Sequence, residues 1–338
     1  MLTDRRKLIL KAIVEEYIIS KEPVGSKALT TKPYLDFSSA TIRYEMQFLE
    51  ENGYLEKTHT SSGRIPSDMG YRYYVDHLIV RDEYVSEYYK YIDEILDNKY
   101  LSKEDASKKL ASFISELTGY YTIITGTTSD YMMIKKMEIV PLKDNEAVLL
   151  IVTSNGAVQS QKVSIPRGYH MDDLLRIIEM FDNAMYEHSV YEINDVLSKE
   201  ASKPRIRQMV DFRDDVLNFM IKGFSRFSIG EQYESGLSKL LNQPEFQDYI
   251  TVQGIIKALD DGEIKRISKE NMNSLNVLIG TENMNQGLKK CSLITIPYTI
   301  EENESGAIVI MGPTRMNYSG VIPLMEYIAK SMIKLNNR

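Results

Sequence analysis

The chain carries one cysteine, Cys291, so no disulfide can close within it, and no second thiol stands at metal-binding or redox spacing. A reducing compartment is expected. The four histidines, His59, His77, His170 and His188, are scattered, and none falls in a spacing typical of zinc sites. A Gly-x-Ser-x-Gly nucleophile segment is missing too. No catalytic residue, metal or cofactor is therefore expected, and the chain does not read as an enzyme. Long apolar runs are also scarce: the longest, such as Ala147 to Val152, fall far short of the ~20 residues that span a bilayer. Near the start, Asp4, Arg5, Arg6, Lys7, Lys11, Glu15 and Glu16 interrupt the unbroken apolar stretch that a secretory signal needs. These absences predict a cytoplasmic protein with no membrane contact.

What is present is ordinary globular material. Hydrophobic residues make up 43% and charged residues 26% of 338 positions, which supplies a core and argues against disorder. Single cores stop growing at roughly 250 to 300 residues, so two or three domains are expected. The net charge of −7 taken whole argues against a polyanionic partner. It is unevenly spread, however: Met1 to Leu78 holds 11 Lys plus Arg against 11 Asp plus Glu, and all the excess acid lies beyond. A nucleic-acid reading has to come from pattern.

The N-terminal pattern is specific. Ile9, Ala12, Ile13 and Tyr17 recur at helical spacing after Thr3-Asp4 and predict a first helix ending near Ser20. Pro23 marks a loop, and a short second helix follows from about Ser26 to Thr31. After Pro33, Ser38-Ser39 supplies the N-cap of a third helix that reaches about Glu51 and is closed by Gly53. Its Ile42, Met46 and Leu49 share one side. Ala40, Arg43, Tyr44 and Gln47 share the other. Tyr54 to Lys57 and Arg64 to Pro66 read as paired strands around the hydroxyl-rich loop Thr58 to Gly63. Three short helices and a hairpin make the winged variant of helix-turn-helix. In that layout Arg43, Tyr44 and Gln47 face base edges, while Ser26, Lys27, Ser38, Ser39 and Thr41 hold phosphates from helix starts. Lys57, His59, Thr60, Ser61, Ser62 and Arg64 place hydroxyls and cations on the wing.

Beyond residue 80 the pattern changes. Ser67 opens a helix with Tyr71, Tyr74, Val75 and Leu78, and residues 81–101 form a tyrosine-rich helical connector. A helix from Ser102 to Gly119 precedes strands at Tyr121 to Thr125, Met132 to Val140, Ala147 to Thr153 and Ala157 to Ile165, the last two joined by the hairpin signal Asn155-Gly156. Met171 to Glu187 is helical. Glu192 to about Thr251 is largely helical with apolar Val216, Leu217, Phe219, Met220, Phe224 and Phe227. Strands return at Asn276 to Ile279, Ser292 to Pro297 and Gly306 to Met311, and a last helix spans Gly320 to Leu335. The expected fold class is α+β and multidomain: residues 102–191 and 252–338 form one α+β domain into which the helix-rich segment 192–251 is inserted.

Glu22-Pro23-Val24-Gly25-Ser26-Lys27, Ser38-Ser39-Ala40-Thr41-Ile42-Arg43, Leu55-Glu56-Lys57-Thr58-His59-Thr60-Ser61-Ser62-Gly63-Arg64-Ile65-Pro66 and Gly70-Tyr71-Arg72 resemble, in order and spacing, the heat-inducible repressor family HrcA. Gly280-Thr281-Glu282-Asn283 and Gly312-Pro313-Thr314-Arg315-Met316-Asn317-Tyr318, followed by Val321-Ile322-Pro323, look like the same family's second signature. The resemblance implies a homodimeric repressor with an N-terminal winged helix (residues 1–80), a GAF-like domain and a dimerising domain inserted into it. It also implies an inverted-repeat DNA operator of the CIRCE type upstream of chaperone genes, and modulation by the GroE-type chaperonin. A rival reading keeps the winged helix and gives the GAF-like domain a small-molecule effector. Where the family shows Asn-Asp after Thr-Ile-Arg, this chain has Tyr44-Glu45, which predicts altered base preference at that position. The Gly-Pro-Thr-Arg segment lacks the Lys-Ser/Thr of a phosphate loop and reads as a structural turn.

Overall fold

The computed structural model describes residues 2–57, 63–80, 86–125, 128–129, 133–143, 145–154, 156, 158–165, 171–203, 221, 223–224, 232–264, 267, 274–301 and 304–337. It is a mixed helix and sheet structure with several sheets. The chain divides into two compact units, one of Met1–Thr125, Gln232–Ile300 and Gly306–Arg338, the other of Gly126–Glu231 and Glu301–Ser305.

The first unit opens with helices α1 (Asp4–Ser20), α2 (Ser26–Leu29) and α3 (Ser39–Glu51), then strands β1 (Leu55–Lys57) and β2 (Arg64–Pro66). The two strands pair antiparallel, with Lys57 opposite Arg64. Helix α4 (Asp68–Tyr73) runs on into a π turn at Tyr74–Leu78, and α5 (Ser86–Asp97), α6 (Lys103–Thr118) and strand β3 (Tyr121–Thr125) follow. Local chemistry explains the starts: the hydroxyls of Ser38, Ser67 and Ser102 accept the N–H of Thr41, Gly70 and Asp105, satisfying donors that a helix N-terminus leaves open. Gly119 ends α6 at φ +74, and Gly53 turns the chain after α3 at φ +79, where a β-carbon would be strained.

The second unit contains the antiparallel strands β4 (Ile134–Pro141), β5 (Glu146–Thr153) and β6 (Val158–Ser164), in that order, with helices α7 (Met171–Met185) and α8 (Ile193–Ala201). Alternate residues Ala147, Leu149 and Ile151 of β5 point into one core with Leu174, Ile177, Ile178 and Phe181 of α7, the period-two burial of a sheet covered on one face.

Returning to the first unit, the chain forms β7 (Gln232–Ser235), α9 (Leu237–Leu241), α10 (Tyr249–Asp260), β8 (Asn276–Ile279), β9 (Cys291–Glu301), β10 (Glu304–Pro313) and α11 (Tyr318–Ser331). Its main sheet has the order β7-β3-β10-β9-β8. Ile308 and Ile310 of β10 join a core on one face, while Val309 and Met311 join Leu240, Phe246 and Ile255 on the other.

The compact units of the structure fall at other limits than the expected domains. Residues 1–80 lie in one unit with the main sheet, Ile9, Ile13, Leu49, Tyr71 and Tyr74 belonging to the same apolar cluster as Ile294, Ile310, Leu324 and Met325. The inserted unit is residues 126–231 rather than 192–251, and it contains a sheet rather than helices alone. The reason is non-local pairing. Gln232–Ser235 lies inside the segment read as inserted, yet it pairs with β3 in the main sheet, Ile123 opposite Glu234 and Ile124 opposite Tyr233. Of the apolar residues singled out in that segment, Phe224 is fully buried in the second unit. Val216, Leu217, Phe219, Met220 and Phe227 lie outside the described residues. Among the described residues no helix is long and apolar enough to cross a membrane.

Candidate nucleic-acid interface

Helix α3 has the two faces that its spacing predicts. Ile42, Met46 and Leu49 are buried, while Ala40, Arg43, Tyr44 and Gln47 are exposed, Tyr44 by 67%. The hydroxyl of Ser38 accepts the Thr41 N–H at 3.1 Å and lies 2.9 Å from the Thr41 hydroxyl. Ser26 at the start of α2 and Ser39 at the start of α3 meet at 2.9 Å between hydroxyls. The two helix starts are thus tied together beside the exposed face.

Four of the expected cations come from four different elements and converge. Lys27, Arg43, Lys57 and Arg64, with Gly25, Ser26 and Met46, line a cleft of about 540 Å³. Among the described residues Lys27, Arg43 and Lys57 have no acidic partner. Such a concentration of like charge gains by neutralising a polyanion. Arg64 differs: its Nε and a terminal nitrogen each donate to Glu50 at 2.7 Å. Its backbone exchanges two hydrogen bonds with Val24, at 2.8 and 3.0 Å. Gly63 abuts Pro23 so closely that a β-carbon would lie 2.7 Å from the Pro23 carbonyl carbon. Arg64 therefore braces the hairpin against α3 and the loop before α2 as well as charging the cleft. Gln47 donates to Glu51 at 2.9 Å. His59, Thr60, Ser61 and Ser62 lie outside the described residues.

Sequence reasoning missed Glu45. It is fully buried on the packed side of α3 and receives Arg6 at 2.8 Å and Arg5. The Arg6 guanidinium also stands 3.3 Å over the Phe48 ring, a cation–π contact. Burial works to raise the Glu45 pKa, but the hydrogen bonds from Arg6 and Arg5 hold it below the ordinary carboxylate value. The signal was available in part: Ile42, Glu45, Met46 and Leu49 share i, i+3, i+4, i+7 spacing. The Tyr44-Glu45 pair thereby splits into one exposed and one structural position.

The C-terminal motifs are built into the scaffold. The Asn283 amide donates to the carbonyls of Gly280, Leu288 and Cys291 at 2.9, 3.2 and 2.9 Å. Arg315 is held by Glu245 and, at 2.9 Å, by Gln243, while the Tyr318 hydroxyl donates to Thr314 O at 2.7 Å. Burial pushes the Cys291 thiol up to about 12, so this side chain packs rather than reacts. Among the described residues no cluster of His, Cys, Asp or Glu could hold a metal ion.

One expected outcome separates brace from charge. If the cleft holds duplex DNA by its phosphates, Lys57→Ala should make the slope of log affinity for DNA against log salt shallower by about one unit, with melting unchanged. Arg64→Ala should do the same and also lower the melting temperature, because Glu50 loses its partner. Titrations at several salt concentrations beside melting curves decide it. A slope unaltered in Arg64→Ala would leave only the brace.

The family model described as HrcA protein C terminal domain matches residues 104–322. Heat-inducible transcription repressor HrcA of Acholeplasma laidlawii (strain PG-8A) is 39% identical over 335 residues, 99% of this chain and 98% of that protein. The protein of the same name from Aster yellows witches'-broom phytoplasma (strain AYWB) is 36% identical over 341 residues, 100% of this chain and 99% of its own. Among solved structures, a crystal structure of a hypothetical protein superposes with a TM-score of 0.60 at 21% identity, covering 100% of this chain and 99% of that one, a likeness in fold.

Proposed function

Because this chain belongs to the HrcA family of heat-inducible transcription repressors, we propose that its exposed α3 face, Arg43 included, reads operator bases while Lys27, Lys57 and Arg64 of the adjoining cleft hold the phosphate backbone. The chain is a heat-shock transcription repressor that binds DNA, not an enzyme. In the proposed reading, α1 to β2 form a winged helix with α3 as recognition helix and the hairpin as wing. Arg43, Tyr44 and Gln47 then meet base edges in the major groove, and Ser26, Lys27, Ser38, Ser39, Thr41, Lys57, His59, Thr60, Ser61, Ser62 and Arg64 contact the backbone. The observation that carries this reading is the convergence of cations from α2, α3, β1 and β2 beside an exposed helix face.

The domain around the main sheet is assigned a GAF-like role, and the second unit the contact between two subunits. A homodimer would present two recognition helices to an inverted repeat of the CIRCE type, about one DNA turn or a multiple of it apart. Bound there, it blocks transcription of chaperone genes sterically, and the GroE-type chaperonin adjusts its activity. These assignments follow the family resemblance.

Tyr44 provides the test. Tyrosine offers one hydroxyl and a ring for a thymine methyl, whereas asparagine can pair bidentately with adenine. Tyr44→Asn should change the favoured base at one or two positions per half-site, by about 1 to 3 kcal/mol, with melting unaltered because the side chain is exposed. Site selection from a randomised half-site library compares the two proteins. Identical selected sites would remove Tyr44 from the reading set.

A further inference from the structure

Helix α4 is held on two sides. Toward α3, the Ser67 hydroxyl donates to Gly53 O and accepts the Gly70 N–H, and a β-carbon on Gly70 would collide with the Tyr54 carbonyl. The Tyr54 and Tyr73 rings meet edge to face at 5.5 Å. Toward the main sheet, Asp68 accepts both the N–H and the hydroxyl of Thr281, at 2.7 and 2.8 Å. Gly280 approaches the same carboxylate at φ +51, where an added β-carbon would strike Asp68. One turn along α4, the Arg72 Nε donates to Glu282 at 2.8 Å, and a terminal nitrogen reaches both Glu282 and Val277 O. Glu282 is in turn fixed by the Ile279 N–H at 2.8 Å. Between these two polar grips, Tyr71 is buried against Tyr318.

The corner that carries α3 is thus rigidly continuous with α4, and α4 is clasped to the Gly280-Thr281-Glu282 loop by charge-assisted, two-point contacts. The two sequence signatures at opposite ends of the chain meet at this one place. We propose that the Asp68–Thr281 and Arg72–Glu282 clasp sets the direction in which each subunit presents its recognition helix, making these four side chains positioning residues for binding an inverted repeat. The inference rests on the two-headed reading above. A head held in one direction engages the second half-site at a high effective concentration, and a loosened head loses that gain without losing any base contact.

The experiment uses the full chain and duplexes selected by the wild type from a randomised library, as a complete repeat and as a single half. Arg72→Met should weaken binding to the repeat roughly 5- to 50-fold and leave half-site binding within about twofold. Arg72→Lys, which keeps one charged contact, should fall between. If Arg72→Met does not fold, Thr281→Val deletes only one hydroxyl and should reproduce the selective loss at about two- to fivefold. Equal loss on both duplexes, tracking a lower melting temperature, would overturn the positioning role, as would no loss on either. A wild type that binds repeat and half alike would instead overturn the two-headed reading itself, and the clasp's role with it.

Discussion

Replacing Glu45 by alanine is expected to cost about 2 kcal/mol of stability at pH 7, because Arg6 and Arg5 lose the buried carboxylate that accepts their hydrogen bonds on the packed side of α3. The cost stays below that of stranding a buried charge because Arg5 is half exposed, at 49%, and Arg6 partly so. The effect has a sign in pH. The folded-state pKa of Glu45 lies below its unfolded value: burial pushes it up, but the Arg6 and Arg5 hydrogen bonds outweigh that. Its contribution is therefore complete above the ordinary glutamate pKa of about 4.3 and is lost as pH falls through the lower folded value. Denaturant unfolding of wild type and variant at pH 7, 5 and 3.5 should show curves that converge in acid. A difference that stays constant over this range would mean that the carboxylate charge is not what α3 depends on.

The second large effect is on binding. Arg43→Ala should lower operator affinity by roughly 30- to 150-fold, the loss of about 2 to 3 kcal/mol that a bidentate guanine contact supplies. Binding to unrelated DNA should fall only a few-fold, through the lost charge. Melting should stay where it is, since the Arg43 side chain is exposed on the face opposite Ile42, Met46 and Leu49. Parallel titrations on operator and unrelated duplexes give the answer. Equal losses on the two would reassign Arg43 from base edges to phosphate.

These two residues, two positions apart on one helix, show different degrees of legibility. Arg43 is readable because an amphipathic helix declares its own faces by spacing, and exposure follows from that spacing alone. Glu45 falls in the packed row, where a carboxylate is tolerable only with cations brought to it. Those cations sit 39 and 40 positions earlier, at the start of another helix. Arg64 is a similar case. As a residue type beside a polar loop it suggests a phosphate contact, whereas its grip on Glu50 depends on the hairpin folding back against α3.

By itself the sequence determined what rests on neighbours along the chain: the helices with serine caps and glycine ends, the strands of alternating burial, the exposed row on α3 and the membership marked by its motifs. Those features are settled by backbone sterics, capping donors and the 3.6 and 2 residue periods, which act over a few positions. Tertiary structure alone decided where the units divide, that residues 1–80 share a core with the main sheet, that Gln232–Ser235 is an edge strand of it, and that Asp68 and Arg72 meet Thr281 and Glu282. Each of these joins segments roughly a hundred or more positions apart. Such contacts carry no period, and they exist only once burial of the shared apolar surface has offset the entropy of bringing distant segments together.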